Sequence, residues 1–233
     1  MYFLGDVHAV PSLMRGFLES NEKYCIQLGD FGFIFKANDW KWNKFLNYFA
    51  KDYPNKEIYT ILGNHENFSS IEKMPIVERF GAKCRKIRPN VFAVERGEIL
   101  SIENLDLLCI GGGDSLDKEW REPYNSWWPQ EKISDKDVEK TVNAGLTRHF
   151  DVICSHAMPA FFMERNFYPC YETSSDFALE KIYCDIMNNG VQIPFWIGGH
   201  VHDSVVMEYA GTVLRTLNIG ESLIFSKEEQ QKI

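Results

Sequence analysis

Strand-like apolar runs alternate with segments of helical periodicity over the first part of the chain. Residues 2–4, 24–28 and 57–62 are strand candidates, and the third is rich in β-branched and aromatic residues. Between them, residues 10–20 and 42–49 carry apolar side chains at helical spacing. Strands linked in this way predict a sheet with parallel strands, whose carboxyl ends share one edge and form the ligand crevice.

The middle of the chain places strand candidates next to one another without a helix between them. Within residues 91–110, two strands joined near Gly97 and a third over 107–110 would be antiparallel and would make the sheet mixed. After them, Ser134 and Asp137 have the spacing of a capping box, which predicts the start of a helix.

In the last third of the chain, predicted strands again alternate with a predicted helix. Strands are predicted over 151–154 and 194–197, with a helix between them that begins at Ser174 or Ser175. Residues 205–217 read as a hairpin with Ala-Gly at its turn. The whole pattern therefore predicts an α/β protein.

Two aromatic, proline-containing segments near 114–133 and 157–175 lack clean periodicity. We expect both to be loops inserted into a single domain that spans residues 1–233. They either line a substrate pocket or cover the edge of the core. The first segment also contains Arg121 among its tryptophans.

Composition narrows the functional classes. The chain of 233 residues is 45% hydrophobic and 14% aromatic, which is typical of a folded domain. Its net charge of −8 disfavours long duplex nucleic acid as a partner. The sequence shows neither an apolar run long enough for a membrane span nor a signal-peptide pattern. The cysteines lack CxxC spacing, and Cys25, Cys109 and Cys154 fall in strands predicted to be buried, so we expect reduced thiols in a cytoplasmic protein.

The candidate functional residues lie at the ends of the predicted strands. Five of the six histidines stand directly after a strand, beside Gly, Asp, Ser or Asn: His8, His65, His156, His200 and His202. Only His149, near a helix end, is expected to be structural. Because the carboxyl ends of parallel strands share an edge, Asp6, Asp30 and Asn64 should converge with these histidines. Imidazole and carboxylate ligands together suit divalent transition metals.

Five short motifs occur in a fixed order that resembles the calcineurin-like metallophosphoesterases. They are Gly-Asp-x-His at 5–8, Gly-Asp at 29–30, Gly-Asn-His-Glu at 63–66, Ser-His at 155–156 and Gly-His-x-His at 199–202. The resemblance covers most of the chain. It implies two mixed β-sheets packed as a sandwich flanked by helices. It also implies two divalent metal ions, with manganese as the first expectation and iron, zinc, nickel or magnesium as alternatives.

The resemblance further implies roles for individual residues. Seven of them would be metal ligands: Asp6, His8 and His202 for the first ion, Asn64, His156 and His200 for the second, and Asp30 for both. A hydroxide bridging the ions would attack phosphorus, and His65 would protonate the leaving group. The catalytic candidates are thus His65 and Asp30, while Asn64 and His65 would contact the substrate phosphate. Arg121 could supply a phosphate contact from the first aromatic segment, although a solvated surface charge is the expected role.

The chain departs from the family pattern after Gly29-Asp30. Residues 31–35 read Phe-Gly-Phe-Ile-Phe, where the large protein phosphatases of this family have an acid and then an arginine. This disfavours a close relative of those enzymes and leaves His65 without an identified partner. We expect a phosphatase or phosphodiesterase acting on a small phosphate ester such as a nucleotide. The alternatives are a phosphoprotein phosphatase, a nuclease acting on short single strands, and a binding scaffold of the same fold without catalysis.

Overall fold

Two mixed β-sheets form the centre of the molecule. The computed structural model describes residues 1–35, 40–167 and 171–226. One sheet has seven strands in the order β13-β1-β2-β3-β6-β5-β4. Its strands are β1 (Tyr2–Leu4), β2 (Tyr24–Gln27), β3 (Glu57–Thr60), β4 (Ile76–Arg79), β5 (Ala82–Arg88), β6 (Val91–Val94) and β13 (Ser222–Ile224).

The second sheet has six strands in the order β11-β12-β10-β9-β8-β7. They are β7 (Glu98–Ile102), β8 (Leu105–Ile110), β9 (Val152–Ser155), β10 (Phe195–Gly198), β11 (Val206–Tyr209) and β12 (Thr212–Thr216). In each sheet the central strands are parallel: β1, β2, β3 and β6 in the first, and β8, β9, β10 and β12 in the second. Their carboxyl ends therefore point to the same side within each sheet.

Helices cover the outer faces of both sheets. They are α1 (Arg15–Glu19), α2 (Trp40–Asp52), α3 (Phe68–Ile71), α4 (Asp135–Thr147), α5 (Ala160–Asn166) and α6 (Ser174–Asn188). Short 3-10 turns occupy Pro11–Met14, Lys118–Trp120 and Pro129–Glu131. In the part of the chain that the structure describes, no helix has both the length and the apolar character needed to cross a membrane.

Three apolar layers hold these elements together. The layer between the sheets contains buried side chains of both, including Phe3, Ile26, Leu107, Cys154 and Ile197. A second layer packs α1 and α2 on the first sheet, and a third packs α4, α5 and α6 on the second sheet. This is the predicted sandwich with flanking helices, and it is confirmed.

Several local predictions differ from the structure. The segment 10–20 is a 3-10 turn followed by the short helix α1, because Pro11 begins a tight turn. The strands on either side of Gly97 lie in different sheets, so β7 pairs with β8 instead. The hairpin of β4 and β5 went unrecognised.

The aromatic segments are also more ordered than predicted. Part of 157–175 is the helix α5, and residues 168–170 lie outside the described residues. The cap of α6 is Thr173, one residue before the predicted serines, and it forms a capping box with Asp176. In 114–133, Trp128 is fully buried whereas Trp120 is 90% exposed, so this segment both covers core and presents an aromatic surface.

The capping box of α4 at Ser134 is confirmed. Burial of the three strand cysteines is confirmed as well, while Cys184 is exposed.

Candidate metal centre

The candidate site lies where strands of both sheets end. In the seven-stranded sheet, Asp6 and His8 follow β1, Asp30 follows β2, and Asn64 and His65 follow β3. The six-stranded sheet supplies the others after β9 and β10: His156, His200 and His202. The structure brings all of these predicted site residues together at one edge of the sandwich.

The turns that carry them use left-handed backbone conformations. His8, Asp30, His200 and His202 have φ angles of 47°, 51°, 68° and 54°, in a region that residues other than glycine seldom adopt. Each such conformation costs about 1–3 kcal/mol and persists where the surroundings fix it. Here the backbone N–H groups of Val7 and His8 donate to the Asp30 carbonyl at 3.1 and 2.8 Å, which ties two of the turns together.

The first ligand group consists of Asp6, His8, Asp30 and His202. His202 Nε2 lies 3.0 Å from both Asp6 Oδ2 and His8 Nε2. His8 Nε2 lies 3.6 Å from Asp6 Oδ2 and 3.8 Å from Asp30 Oδ2. Despite its nearness to His202, the buried Asp6 Oδ2 has no aligned hydrogen bond among the described residues. A buried carboxylate oxygen of this kind, facing two imidazoles, fits a cation ligand.

The second group converges on His156. Its Nε2 lies 3.2 Å from Asp30 Oδ1, 3.2 Å from Asn64 Oδ1 and 3.1 Å from His200 Nδ1. Its Nδ1 lies 2.8 Å from the Leu28 carbonyl, which can only accept, so Nδ1 carries a proton and Nε2 faces the centre. This is the usual way in which a backbone carbonyl orients a metal-binding histidine.

Glycine permits this close approach. A Cβ at Gly63 would lie 2.5 Å from Asp30 N and 2.8 Å from His156 Nε2. Any larger residue at position 63 would push the turn after β3 away from Asp30 and His156.

Asp30 belongs to both groups. Within each group the candidate ligand atoms lie within 4.8 Å of one another. Two nitrogen- and oxygen-rich groups that share one carboxylate suit a pair of divalent cations. The residues present therefore fit the binuclear centre that the motifs implied.

The buried charges in the centre depend on one another. Burial alone would raise the pKa of Asp30, but the charge and hydrogen bond of His156 hold it well below its usual value. Burial also opposes protonation of His156, yet Asp30 and Asp6 raise its pKa to about 10. The pKa of His200 falls to about 4 because the ring is buried beside the His156 charge. The chain by itself thus balances buried carboxylates with an imidazolium, a positive charge that cations could replace.

His65 stands beside the two groups, in contact with the first aromatic segment. Its backbone N–H donates to Asp30 Oδ1 at 2.8 Å. Arg121 Nη2 lies 3.1 Å from His65 Nε2, and because a guanidinium only donates, this ring nitrogen is the acceptor. Burial and the Arg121 charge lower the pKa of His65 despite the nearby Asp30. Arg121 is thus the partner of His65 that the sequence left unidentified.

The expectation that Arg121 is a solvated surface charge is wrong. The Arg121 side chain is 12% exposed, and its Nε lies 2.8 Å from Asp117 Oδ1. The segment 114–133 therefore reaches into the site and places a cationic group next to His65.

Glu66 is a site residue to which the sequence assigned no role. Its fully buried carboxylate accepts hydrogen bonds from Gly63 N at 2.6 Å and from Gly32 N at 3.1 Å. Burial and the charge of Asp30 raise the pKa of Glu66 to about 7. Glu66 thereby ties together the turns after β2 and β3. Its position directly after His65 in the Gly-Asn-His-Glu motif is the signal that could have identified it.

His149 lies at the opposite end of β9 from His156. Its imidazole is 70% exposed and lies 3.2 Å from Asp151 Oδ1. Arg165, another basic residue of the aromatic segments, stacks on the Tyr209 ring at 4.6 Å. Neither residue belongs to the two ligand groups.

Comparisons with known proteins identify the family of the chain. The family model for calcineurin-like phosphoesterases matches residues 1–204. A search of curated proteins gives no match. Among solved structures, GAP50, the anchor in the inner membrane complex of Plasmodium, aligns with a TM-score of 0.53 at 13% identity, covering 94% of this chain and 72% of that one.

Two further structures align less closely. A dimetal phosphatase from Danio rerio has a TM-score of 0.49 at 14% identity, over 94% of this chain and 88% of the other. A putative 5′-nucleotidase from Staphylococcus aureus has a TM-score of 0.46 at 14% identity, over 93% of this chain and only 44% of its own. At these identities the structural likeness concerns the fold alone. The family match over residues 1–204 carries the assignment, and this chain belongs to the calcineurin-like phosphoesterase family.

Proposed function

We propose that the protein is a binuclear metal-dependent phosphoesterase that hydrolyses a small phosphate ester. The observation that carries this proposal is the position of Asp30, whose carboxylate belongs to both ligand groups. Asp6, His8 and His202 would complete one cation site, and Asn64, His156 and His200 the other. Manganese is the first candidate because the ligands mix carboxylate, amide and imidazole groups.

Two bound cations would neutralise phosphate charge and supply a hydroxide nucleophile near neutral pH. The chain's own residues have separate tasks. The Asp30 and Asp6 carboxylates remain ionised in their buried surroundings, since the pKa of each is lowered despite burial, chiefly by histidine neighbours. They are therefore ready to bind cations without first losing a proton.

His65 is the proposed general acid. It is the one strand-end histidine of the centre outside both ligand groups, and its side chain is 33% exposed, so a substrate can reach it. For His65 to deliver a proton from Nε2, Arg121 must first release that nitrogen, and the partly exposed ring must then take up a proton from solvent. Substrate phosphate oxygens would attract the guanidinium, which would free His65 Nε2 to face the leaving oxygen. Asn64, also predicted to contact the phosphate, has its Nδ2 paired with Ser115 and would act on the phosphate through the cation that its Oδ1 binds.

A nucleotide is the substrate class favoured by the surroundings of Arg121. Trp120, which precedes it, is 90% exposed, and Tyr124 is 65% exposed in the same segment. Exposed aromatic rings beside a phosphate-binding cation suit a nucleobase, because stacking adds about 1–3 kcal/mol per base. The same feature supports short single strands as a second candidate.

A substrate panel with metal-depleted protein tests the proposal. Para-nitrophenyl phosphate, bis-para-nitrophenyl phosphate, nucleotides, cyclic dinucleotides, short oligonucleotides and phosphopeptides would each be assayed with Mn²⁺, Fe²⁺, Zn²⁺, Ni²⁺ or Mg²⁺. We expect turnover that requires added metal, is lost in Asp30→Asn, and favours nucleotides over phosphopeptides. Absence of turnover with every metal and ester contradicts an enzyme and favours the binding scaffold. Preference for phosphopeptides favours the phosphoprotein phosphatase.

A further inference from the structure

We propose that Ser115 and Glu131 are positioning residues, which turn the Asn64 amide so that its oxygen faces the second cation site. The inference rests on the proposed function for the presence of that cation. The hydrogen bonds that support the inference are all between residues of the protein. Both residues come from the segment 114–133, which the strand-end motifs do not include.

The Asn64 side chain has two different faces. Its Oδ1 lies 3.2 Å from His156 Nε2 in the centre, and its Nδ2 lies 3.1 Å from Ser115 Oγ on the other side. A rotation of 180° would exchange these atoms and present an NH₂ group to the site. Since an amide nitrogen does not bind cations and its hydrogens repel them, only one orientation is productive.

Glu131 determines which orientation is favoured. Its Oε2 lies 2.8 Å from Ser115 Oγ. A carboxylate only accepts, so the Ser115 hydroxyl donates to Glu131 and offers its lone pairs to Asn64. Asn64 must then present Nδ2 to Ser115, which leaves Oδ1 toward His156. The direction of every hydrogen bond in this chain follows from the carboxylate at its end.

Other donors keep the Glu131 carboxylate in place. Its Oε1 accepts from Ser115 N at 2.6 Å and from Trp127 Nε1 at 2.8 Å. The Arg96 guanidinium donates to the Glu131 carbonyl at 3.1 Å and to the Gln130 carbonyl at 2.7 Å. The backbone that carries Glu131 is thereby fixed to the connection between β6 and β7.

Because Asn64, Ser115 and Glu131 are buried, water cannot readily take the place of a lost hydrogen-bond partner among them. Asn64 is 4% exposed, Ser115 is 3% exposed and Glu131 is fully buried. Loss of a buried partner that orients a metal ligand commonly weakens metal affinity by about 10–100-fold. The expected effect is therefore specific to the second cation.

Calorimetric titration of the metal-free full chain with Mn²⁺ tests the proposal. In Ser115→Ala, we expect the Kd of one Mn²⁺ equivalent to rise about 10–100-fold while the other stays unchanged. Ser115→Thr keeps the hydroxyl and should restore the wild-type affinity. Glu131→Gln should also weaken one equivalent, because its NH₂ group can face Ser115 and reverse the chain. Ser126→Ala is the matched control, since it removes a serine hydroxyl of the same segment that accepts from Glu122 N and contacts neither Glu131 nor Asn64.

Three outcomes would overturn the proposal. Ser115→Ala could bind both equivalents as tightly as wild type, Ser115→Thr could fail to restore the affinity, or Ser126→Ala could weaken binding as much as Ser115→Ala. The last result would mean that the segment merely packs against the site.

The same titration tests the proposed function separately, because wild-type protein that binds fewer than two Mn²⁺ would contradict a binuclear centre. In that case, hydrogen exchange of the Asn64 side-chain amide in the metal-free protein decides the positioning role. Protection that is present in wild type and lost in Ser115→Ala supports it, and equal exchange rates overturn it.

Discussion

Asn64 and His156, the inner half of the centre, are buried, whereas His8 and His202, the outer half, have side chains that are 25% and 44% exposed. The inner side chains are oriented by hydrogen bonds, from Asn64 Nδ2 to Ser115 and between His156 Nδ1 and the Leu28 carbonyl. The outer histidines stand on left-handed backbone, so the turn itself determines their direction. The difference indicates that solvent reaches the centre from the outer side, and under the proposed function the substrate would approach from that side too.

The largest expected effect comes from the residue that both halves share. Asp30→Asn should lower turnover about a thousandfold or more, because loss of charge stabilisation worth several kcal/mol affects both cation sites. Asn tolerates the left-handed φ at this position, so the fold should be kept. Activity assays measure the loss of turnover, and a thermal unfolding curve shows whether the fold is kept. Asp106→Asn, at the second residue of β8 and outside the two ligand groups, is the matched control and should retain full activity.

Replacing one histidine in the inner half and one in the outer half compares what the two halves contribute to the free energy of unfolding. In metal-free protein, His156→Asn should lower the free energy of unfolding by about 3 kcal/mol, because two buried carboxylates lose their compensating charge. His202→Asn should cost less than about 1 kcal/mol, because its ion pair with Asp6 is partly solvated. Urea unfolding at one pH measures both. Equal losses would contradict the distinction between the inner and outer halves.

His65 lies on the open side of the centre and should act on the leaving group instead of on cation binding. His65→Ala is expected to slow hydrolysis of an alkyl phosphate about 100-fold. Hydrolysis of para-nitrophenyl phosphate, whose leaving group needs no proton, should slow much less. Steady-state assays of both esters, with Mn²⁺ titration as the control for metal binding, measure the contrast. An equal loss for both esters would argue against a general acid.

The smallest expected effect belongs to Arg121. Arg121→Gln should raise KM about tenfold, since a charged hydrogen bond to phosphate contributes about 1.5 kcal/mol. Arg165→Gln, which removes a guanidinium stacked on Tyr209, is the matched control and should leave KM unchanged. A KM for Arg121→Gln equal to that of the control would remove Arg121 from the substrate site.

The strand-end residues could be predicted because topology dictates their convergence. Asp6, Asp30 and Asn64 each follow a parallel strand of one sheet, and His156 and His200 follow parallel strands of the other. Hydrophobic periodicity locates such strands, and the polar residues after them must then meet at the carboxyl edge.

The contacts from segment 114–133 could not be predicted in this way. Arg121, Ser115 and Glu131 lie in turns and 3-10 structure whose path no periodicity specifies. The β4–β5 hairpin was missed for a related reason. Its turn is Phe80-Gly81, with φ angles of 48° and 76°, and lacks the Asn or Asp that usually marks a tight turn.

Under the proposed function, both sheets together hold two cations that share Asp30. Electron paramagnetic resonance of the protein loaded with two equivalents of Mn²⁺ tests it most directly, because ions about 3.5–4 Å apart couple magnetically. We predict the spectrum of a coupled Mn²⁺ pair in wild type and its loss in Asp30→Asn. A wild-type spectrum of isolated Mn²⁺ ions, identical to that of Asp30→Asn, would contradict a cation pair that shares Asp30.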